Sequence, residues 1–530
     1  MHRHSLLLVI WSIVGCMAFA VNELPVVEIK ADRTIIYPQR MALTGEESLM
    51  DVLQMMPELM IAGYEDVIAN YNLRIDNCSM NGDTRLIISQ MKAKDVAAIQ
   101  VCDNTGVAKG SIGMNGVLDI NMLRAESLRG FAEGQACAGT DVGAIGTANV
   151  LYGSGATDVY ANTSYRHNEG DEAYLTLHMT NRFDSRNRLL TYFTHQYLDR
   201  PAGTSRKVMG RARFFHTFNE LGTELLLVGG YQHASDQASV SRLPLYTLEL
   251  NTPFISRRLA LMLGFEGDFL STKQRHTDRS WEAFNNDVYL QLTYTLAKWR
   301  WSVGSRVMHY DYTLKEDDRS RRHHDTRDNS FMSMSYVPNA QHQLQVGYYR
   351  KYSNPALAPL FAGIATLSDE DWAVTRGLLD EMTIRQMKMA YAYSRRLLTV
   401  KAEASYYAIE GSENLLEMGA SAYWNTRGLS LAGGANLYAT KHGGHAAFRL
   451  APTVSMPRDW QIGLQMVFYT RKSPKRQATG VPVYGCVMVQ KLIGRHWLLG
   501  VEWHDMFDAL HSRTAPMNRH AACVKAQYRF

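Results

Sequence analysis

Ala173-Tyr174-Leu175-Thr176-Leu177-His178-Met179 alternates between apolar side chains at odd positions and Tyr, Thr or His at even positions. Such period-2 alternation predicts a β-strand with one apolar and one polar face. Residues 343–349 and 400–407 alternate in the same way, and helical periodicity is nearly absent from residue 128 to residue 530. We count about 22 strands there, at roughly 18 residues per strand plus connection, which suits strands that cross a bilayer at a tilt. The sequence therefore predicts a membrane all-β fold, an antiparallel transmembrane barrel of about 22 strands.

Composition excludes most other classes. The 530 residues are 46% hydrophobic and 20% charged, with Gly 39 and Pro 14, so disordered, collagenous and small disulfide-bonded proteins are excluded. No apolar run reaches about 18 residues, which argues against a helical membrane protein. Only alternate residues of a membrane barrel face lipid, so the mean hydropathy of -0.24 agrees with a barrel. The net charge of +5 includes no dense basic block, and nucleic acid is not an implied partner.

The lengths of the connections predict an orientation. Bacterial barrels have short periplasmic turns and longer outer loops. The short connections include 297–299, 338–340 and 394–396, whereas the long ones all follow odd-numbered strands and comprise 315–328, 353–381, 471–479 and 506–518. The chain is therefore expected to begin and end in the periplasm, with the long loops outside.

Aromatic residues support a barrel in the outer membrane. Trp299, Trp301, Trp460 and Trp497 fit an interfacial girdle in contact with lipid, although ordinary β-propensity would also place them in strands. The ending Tyr528-Arg529-Phe530 puts an aromatic residue at the end of the last strand, as expected for a chain handled by barrel insertion machinery.

The first twenty residues have the pattern of a secretory signal. His2-Arg3-His4 precedes an apolar stretch at 6–14, and Ala18-Phe19-Ala20 fits a cleavage site before Val21. A lipoprotein box at 13–16, which would acylate Cys16, is the alternative. We expect a signal peptide at 1–20, a first domain at 21–125 and the barrel at 126–530.

The first domain is predicted to be a small α/β module. The spacing of Leu49, Val52 and Leu53 predicts a short helix stopped by Pro57, and residues 98–101 and 117–120 predict strands separated by Gly and Asn turns. Cys78 and Cys102 both lie in this module, so a disulfide between them is one possibility in an oxidising periplasm.

This module resembles the plug domain of TonB-dependent outer-membrane receptors, and more closely that of the type common in Bacteroidota. The resemblance covers nearly the whole mature chain. It is carried by residues 30–35, 48–57, 95–101, 115–121, 348–355, 377–393, 491–493 and 505–508. The sequence departs from the family where turn glycines are expected, at Glu58, Ser89-Gln90 and Asp76-Asn77. The resemblance implies that the plug closes the barrel lumen and that the protein imports a nutrient bound at the cell surface.

The resemblance also implies partners and sites. A TonB-type protein in the periplasm would pair with an N-terminal segment by strand addition. That segment comprises Leu24, Val26, Val27 and Ile29, which are equally well interpreted as the first strand of the plug. An unknown small ligand would contact the plug apex and the outer loops, at Asp76, Asn77, Asn81, Asp83, Asp317, Asp318, His323 and His324. A solvated charged loop is the alternative for 317–324, because Arg319, Arg321 and Arg322 flank these residues.

Catalytic chemistry is not indicated. The sequence contains no G-x-S-x-G, H-E-x-x-H or phosphate-binding glycine motif, so we expect no enzyme, no catalytic residue, no cofactor and no structural metal. Two other hypotheses remain open: a plugged barrel that has lost transport and acts as a scaffold or adhesin, and a barrel enzyme with groups that converge at its rim.

Overall fold

The computed structural model describes most of the barrel and part of the N-terminal module. The described residues are 26–30, 33–41, 49–54, 71–76, 78–79, 88, 91–102, 116–123, 127–139, 143–167, 170–201, 203–254, 258–316, 319–353, 382–410, 414–426, 428–441, 443–469, 483–494, 496–504 and 521–530. The expected signal peptide at 1–20, with Cys16, lies outside them. No helix within these ranges has the length and apolar character needed to cross a membrane.

The N-terminal residues form a six-stranded sheet with one short helix. The order of strands is β1-β2-β5-β6-β3-β4, and only β3 and β6 are parallel. The helix α1 buries Leu49, Val52 and Leu53, as their spacing predicts. The elements are β1 (Val27–Ile29), β2 (Thr34–Ile36), α1 (Leu49–Gln54), β3 (Tyr71–Ile75), β4 (Cys78–Ser79), β5 (Val96–Cys102), β6 (Gly116–Met122) and 3-10 turns at Pro38–Arg40 and Ala93–Asp95.

Twenty-two further strands form one closed antiparallel barrel in chain order, which confirms the predicted fold. Their bounds are β7 (Arg129–Gly139), β8 (Gly143–Gly153), β9 (Thr157–His167), β10 (Asp171–Arg182), β11 (Asn187–Arg200), β12 (Gly203–Thr217), β13 (Glu224–Asp236), β14 (Ser239–Phe254), β15 (Leu259–Gln274), β16 (Ser280–Leu296), β17 (Trp299–Glu316), β18 (Arg319–Asn339), β19 (His342–Ser353), β20 (Met382–Arg395), β21 (Leu398–Ile409), β22 (Leu415–Asn425), β23 (Leu429–Thr440), β24 (Gly443–Met456), β25 (Trp460–Tyr469), β26 (Val483–Ile493), β27 (Trp497–His504) and β28 (Ala521–Arg529).

The alternation of the sequence becomes the two faces of the barrel wall. In β10, Leu175 and Leu177 are exposed on the outside, whereas Thr176 and His178 are buried on the inside. A closed barrel leaves no unpaired strand edge, and its apolar outer face is compatible with lipid.

The two ends of the barrel differ. The turn end carries the brief connections 297–298, 340–341 and 396–397, and the loop end carries 354–381, 470–482 and 505–520. At the turn end the Trp299 ring lies 4.3 Å from that of Tyr336, and the Trp497 ring lies 5.0 Å from that of Tyr528. Aromatic side chains therefore cluster there, as a girdle requires.

The predicted loop at 315–328 is wrong. β17 continues to Glu316 and β18 begins at Arg319, so these strands reach 18 and 21 residues and form an extended hairpin. Backbone pairing continues to the hairpin tip, with Tyr312 opposite His323. The density of charge in this stretch indicates exposure to solvent, and exposure does not prevent strand pairing.

The barrel closes where β28 pairs with β7. The backbones of Gly130 and Phe530 exchange two hydrogen bonds of 3.1 Å, and Cys137 of β7 lies opposite Cys523 of β28 in a disulfide. Nothing in the spacing of the cysteines predicts this pair. The predicted alternative used Cys78, whose side chain lies outside the described residues, and Cys102, which is buried in β5.

The small sheet lies in the lumen, in the half nearer the turn end. Its apolar residues share a cluster with Tyr160 and Tyr423, inward-facing residues from separate parts of the wall. The Ser394 hydroxyl of β20 donates a 2.7 Å hydrogen bond to the Val27 carbonyl. Contacts to several sides of the wall hold the sheet inside the barrel.

A glycine on the closing strand β7 is tightly enclosed. A Cβ atom at Gly130 would collide with the backbone carbonyl oxygen of Asn149 on β8 and would lie 2.7 Å from Cζ of Phe530, whereas one at Gly134 on the same strand would meet nothing within 4 Å. We predict that Gly130→Ala lowers the free energy of unfolding by about 1–3 kcal/mol through overpacking. Gly134→Ala is the matched control, and heat-dependent loss of the folded band on gels is the measurement. Equal midpoints for the two variants would contradict the prediction.

Candidate functional site

A buried ion pair fixes the sheet to the barrel wall. Lys92 is only 1% exposed, and its Nζ lies 2.6 Å from Oε2 of Glu133 on β7. The same ammonium group lies 5.0 Å from the centre of the Phe131 ring. Removal of one partner of such a pair leaves an uncompensated buried charge, so the contact strongly favours one docked position.

A second charged contact lies next to the first. Asp95 is buried, and its carboxylate lies 3.8 Å from Arg129, the first residue of β7. Burial raises the pKa of Asp95, although the neighbouring cations act in the opposite direction. Burial also lowers the pKa of Lys94. Both contacts dock the sheet on the strand that closes the barrel.

Asp76, a predicted ligand-binding residue, lies at the interface between sheet and wall. It follows β3 with a positive φ of 48°, and its Oδ1 accepts a 2.9 Å hydrogen bond from the Met122 amide. Its Oδ2 lies 3.5 Å from Nδ1 of His178 on β10. Burial raises the pKa of Asp76 to about 7, against the effect of the Met122 hydrogen bond. The other predicted plug residues, Asn77, Asn81 and Asp83, lie outside the described residues.

The predicted coupling segment contains the first strand of the sheet. Val27 and Ile29 belong to β1, which pairs with β2 on one side, and Val26 and Val27 are buried. Leu24 lies outside the described residues. β1 is thus an edge strand of three residues, and the Val27 carbonyl on it is bonded to the barrel wall.

The other half of the lumen wall carries an aromatic cluster close to the loop end. Trp281 stacks on Tyr312 at 5.5 Å between ring centres, and Tyr310 lies 6.0 Å from Tyr352. These residues alternate with outward-facing ones on β16 to β19, so they project inward. The aromatic cluster comprises Leu243, Leu270, Trp281, Ala283, Met308, Tyr310, Tyr312, Leu314 and Tyr352.

Two predicted ligand-binding residues lie beside this cluster, and only one joins it. The His323 ring stacks on Tyr312 at 5.2 Å, whereas His324 is exposed on the opposite face of β18. Asp317 and Asp318 lie outside the described residues. Histidine and aromatic rings thus share one inward-facing surface.

Charged pairs lie on the strands that carry the aromatic cluster, and one of them shares its face. Arg327 pairs with Asp325 at 2.6 Å, and its guanidinium carbon lies 5.4 Å from the centre of the Tyr352 ring. The pair of Arg322 with Asp311 lies on the other face of the hairpin, as His324 does. Nε1 of Trp281 and the hydroxyl of Tyr312 are buried, and neither has a hydrogen-bond partner among the described residues. An apolar surface with a few polar groups and charges around it is the usual composition of a small-molecule site.

Sequence reasoning missed Trp281, Tyr310 and Tyr312. These bulky aromatic residues occupy alternate, inward-facing positions on two successive strands. That pattern identifies a shared surface only when the pairing register of the two strands is known. Within the described ranges, no group of three or more His, Cys, Asp or Glu side chains is arranged to hold a metal ion.

Comparison with known proteins identifies the family. The model of the TonB dependent receptor-like β-barrel family matches residues 117–480, more than half of the chain. The chain belongs to this family. Its members are transport receptors of the outer membrane that interact with TonB and bind ligands. A search of curated proteins found no match.

Solved structures share the fold at low sequence identity. The siderophore receptor PirA from Pseudomonas aeruginosa aligns with a TM-score of 0.66 at 13% identity, over 95% of this chain and 100% of that chain. The ferric-catecholate import receptor Fiu from E. coli K12 gives 0.68 at 11%, over 96% and 97%. The FrpB iron transporter from Neisseria meningitidis gives 0.67 at 10%, over 95% and 100%. These structures show a shared fold. As a member of the TonB-dependent receptor family, the protein is an outer-membrane importer of a nutrient. The resemblance to the Bacteroidota type stays a prediction.

The environment of Asp76 predicts a pH dependence of stability. Its pKa is about 7 in the folded state against 3.8 ordinarily, so the folded state binds one more proton between these values. Its contribution to stability therefore decreases as pH rises from about 4 to about 7 and then levels off. Asp76→Asn keeps an oxygen for the Met122 amide and should remove this slope. Unfolding midpoints of both proteins across this range test the prediction, and an unchanged slope in the variant would contradict it.

Proposed function

We propose that the lumenal sheet is the plug of an energised importer, with the turn end in the periplasm and the loop end at the cell surface. In this proposal residues 21–125 are the plug domain and residues 126–530 are the barrel. The buried Lys92–Glu133 pair supports the proposal best, because it fixes the sheet in the lumen through a specific polar contact. The concentration of long connections at one end supports the orientation.

We further propose that TonB engages residues 22–29. β1 is an edge strand of three residues with one neighbouring strand, so its release from the sheet breaks few backbone hydrogen bonds. TonB would add a strand to the segment that precedes or includes β1 and pull it away from β2. The bond between Ser394 and Val27 would then break early.

Pull-down of the purified TonB C-terminal domain tests this coupling. We expect the detergent-solubilised mature protein to retain TonB, and a variant without residues 22–29 to lose it. Folding of the variant is checked by heat-dependent mobility on gels. Absence of binding to a folded wild-type barrel would overturn the coupling proposal and favour the scaffold or adhesin hypothesis.

We propose that the ligand is a compact ferric chelate that carries aromatic groups. The structural neighbours named above are receptors or transporters of siderophores, ferric catecholate or iron. The aromatic cluster supports the same class, because aromatic faces stack well on flat rings. The adjoining Arg327 lies where an anionic chelate would approach along the wall.

Uptake of radioactive iron as a ferric catecholate tests the role of the aromatic cluster. Trp281→Ala removes an inward-facing stacking surface and should raise the KM for uptake about fivefold, since one aromatic contact contributes on the order of 1 kcal/mol. Phe284→Ala on the same strand is the matched control, because Phe284 faces outward and is 42% exposed. Equal uptake by both variants would exclude the cluster as the site for this ligand.

A further inference from the structure

The seam between β7 and β28 is the contact that closes the described barrel. It comprises nine residue pairs, from Ala521 opposite Gly139 to Arg529 opposite Phe131. This is half of the 18 pairs that β17 and β18 share, and it is similar to the nine pairs of β7 with β8 and the seven of β26 with β27. The seam therefore has fewer interstrand hydrogen bonds than the long hairpins have.

The outer face of the seam adds little to this pairing. The outward residues of β7 are all small, namely Ala132, Gly134, Ala136 and Ala138. They lie opposite Tyr528, Ala526, Val524 and Ala522 of β28, so every cross-strand pair on this face includes an Ala or a Gly and its side-chain contact is small. The inner face therefore offers the stronger side-chain contacts.

The inner face of the seam carries a covalent bond, and a charged contact beside it joins β28 to its other neighbour. Cys137 and Cys523 are directly opposite, with Cα atoms 4.1 Å apart, although they are 386 residues apart in sequence. Two residues further along β28, Lys525 pairs with Glu502 of β27 at 2.9 Å. Cys523 is only 2% exposed, so the disulfide is protected from solvent on that side.

The same strand also carries the docked sheet. Glu133 and Arg129 of β7 form the ion pairs with Lys92 and Asp95. Force applied to the sheet is therefore transmitted in part to β7, one partner of the seam. The disulfide between β7 and β28 on the inner face lies on the same strand as the two residues that receive this force.

We propose that the Cys137–Cys523 disulfide is a covalent lock on barrel closure, formed once β28 has paired with β7, which keeps the seam shut when the docked sheet is pulled. That the disulfide holds β7 and β28 together follows from the geometry of the seam. That it resists force on the docked sheet rests on the proposed function. Before pairing, a chain of 386 residues separates the thiols, and strand pairing brings them together.

The chemistry of the lock needs one oxidant. Each thiol loses a proton, and the pair loses two electrons as the sulfur–sulfur bond forms. The electrons pass to the disulfide of a periplasmic thiol–disulfide oxidoreductase, which is released as a dithiol. This assignment uses exchange chemistry available in an oxidising compartment.

Gel mobility of the full-length protein tests the bond directly. Outer membranes are treated with an alkylating agent, boiled in SDS and run with or without reductant. The wild type should migrate faster without reductant, because the disulfide closes a loop over most of the chain. Cys137→Ser and Cys523→Ser should abolish the difference, whereas Cys486→Ser on β26 should keep it. Equal mobility of the wild type under both conditions would overturn the proposal.

Thermal loss of the folded band on gels tests whether the disulfide stabilises the closed barrel. We expect the midpoint to fall by at least about 5 °C when both seam cysteines are replaced by serine, because a cross-link over a long loop restricts the unfolded chain. Reduction of the folded wild type should give the same shift, which keeps the test valid if the variant fails to assemble. A midpoint insensitive to reduction would contradict the lock. Loss of TonB binding alone would overturn the coupling proposal and leave both gel results unchanged.

Discussion

The pairing of β28 with β7 is the contact on which the rest of the molecule depends. A bilayer offers no water to unpaired backbone groups, so every amide and carbonyl within it must be bonded inside the protein. Twenty-one hairpin contacts between consecutive strands follow from local sequence, but closure joins strands at opposite ends of the barrel chain. The lumen, its contents and the two different ends exist only because this last contact forms. Phe530 over Gly130 and Cys137 opposite Cys523 both lie at this place.

The sequence predicts the wall because its information is local. Alternation in residues 173–179 identifies the face of each side chain without reference to any other strand. The candidate site depends instead on the register between strands. Trp281 of β16 stacks on Tyr312 of β17, and Tyr312 stacks on His323 of β18. A shift of one residue would turn each ring to the other face. Single-strand patterns contain no information on that register.

The prediction at 315–328 is wrong for a physical reason. A long polar stretch indicates exposure to water, yet a hairpin that continues beyond the bilayer is exposed as well as paired. The ligand role of Asp76 stays a prediction, and the structure adds that its carboxylate accepts the backbone amide of Met122. The seam cysteines were missed because their closeness is a property of the closed barrel and not of their spacing.

The polarity of the lumen wall connects the fold with transport. Asn149, Asn162, Thr176 and His178 are buried on the inner face, although a purely apolar wall would bury more hydrophobic area against the sheet. An apolar wall would be costly to expose when a plug moves, because each square ångström of apolar surface returned to water costs about 25 cal/mol. Polar groups regain hydrogen bonds from water that enters. The wall therefore holds the sheet through a few specific charged contacts, such as Lys92 with Glu133, and lowers the free energy needed to displace it.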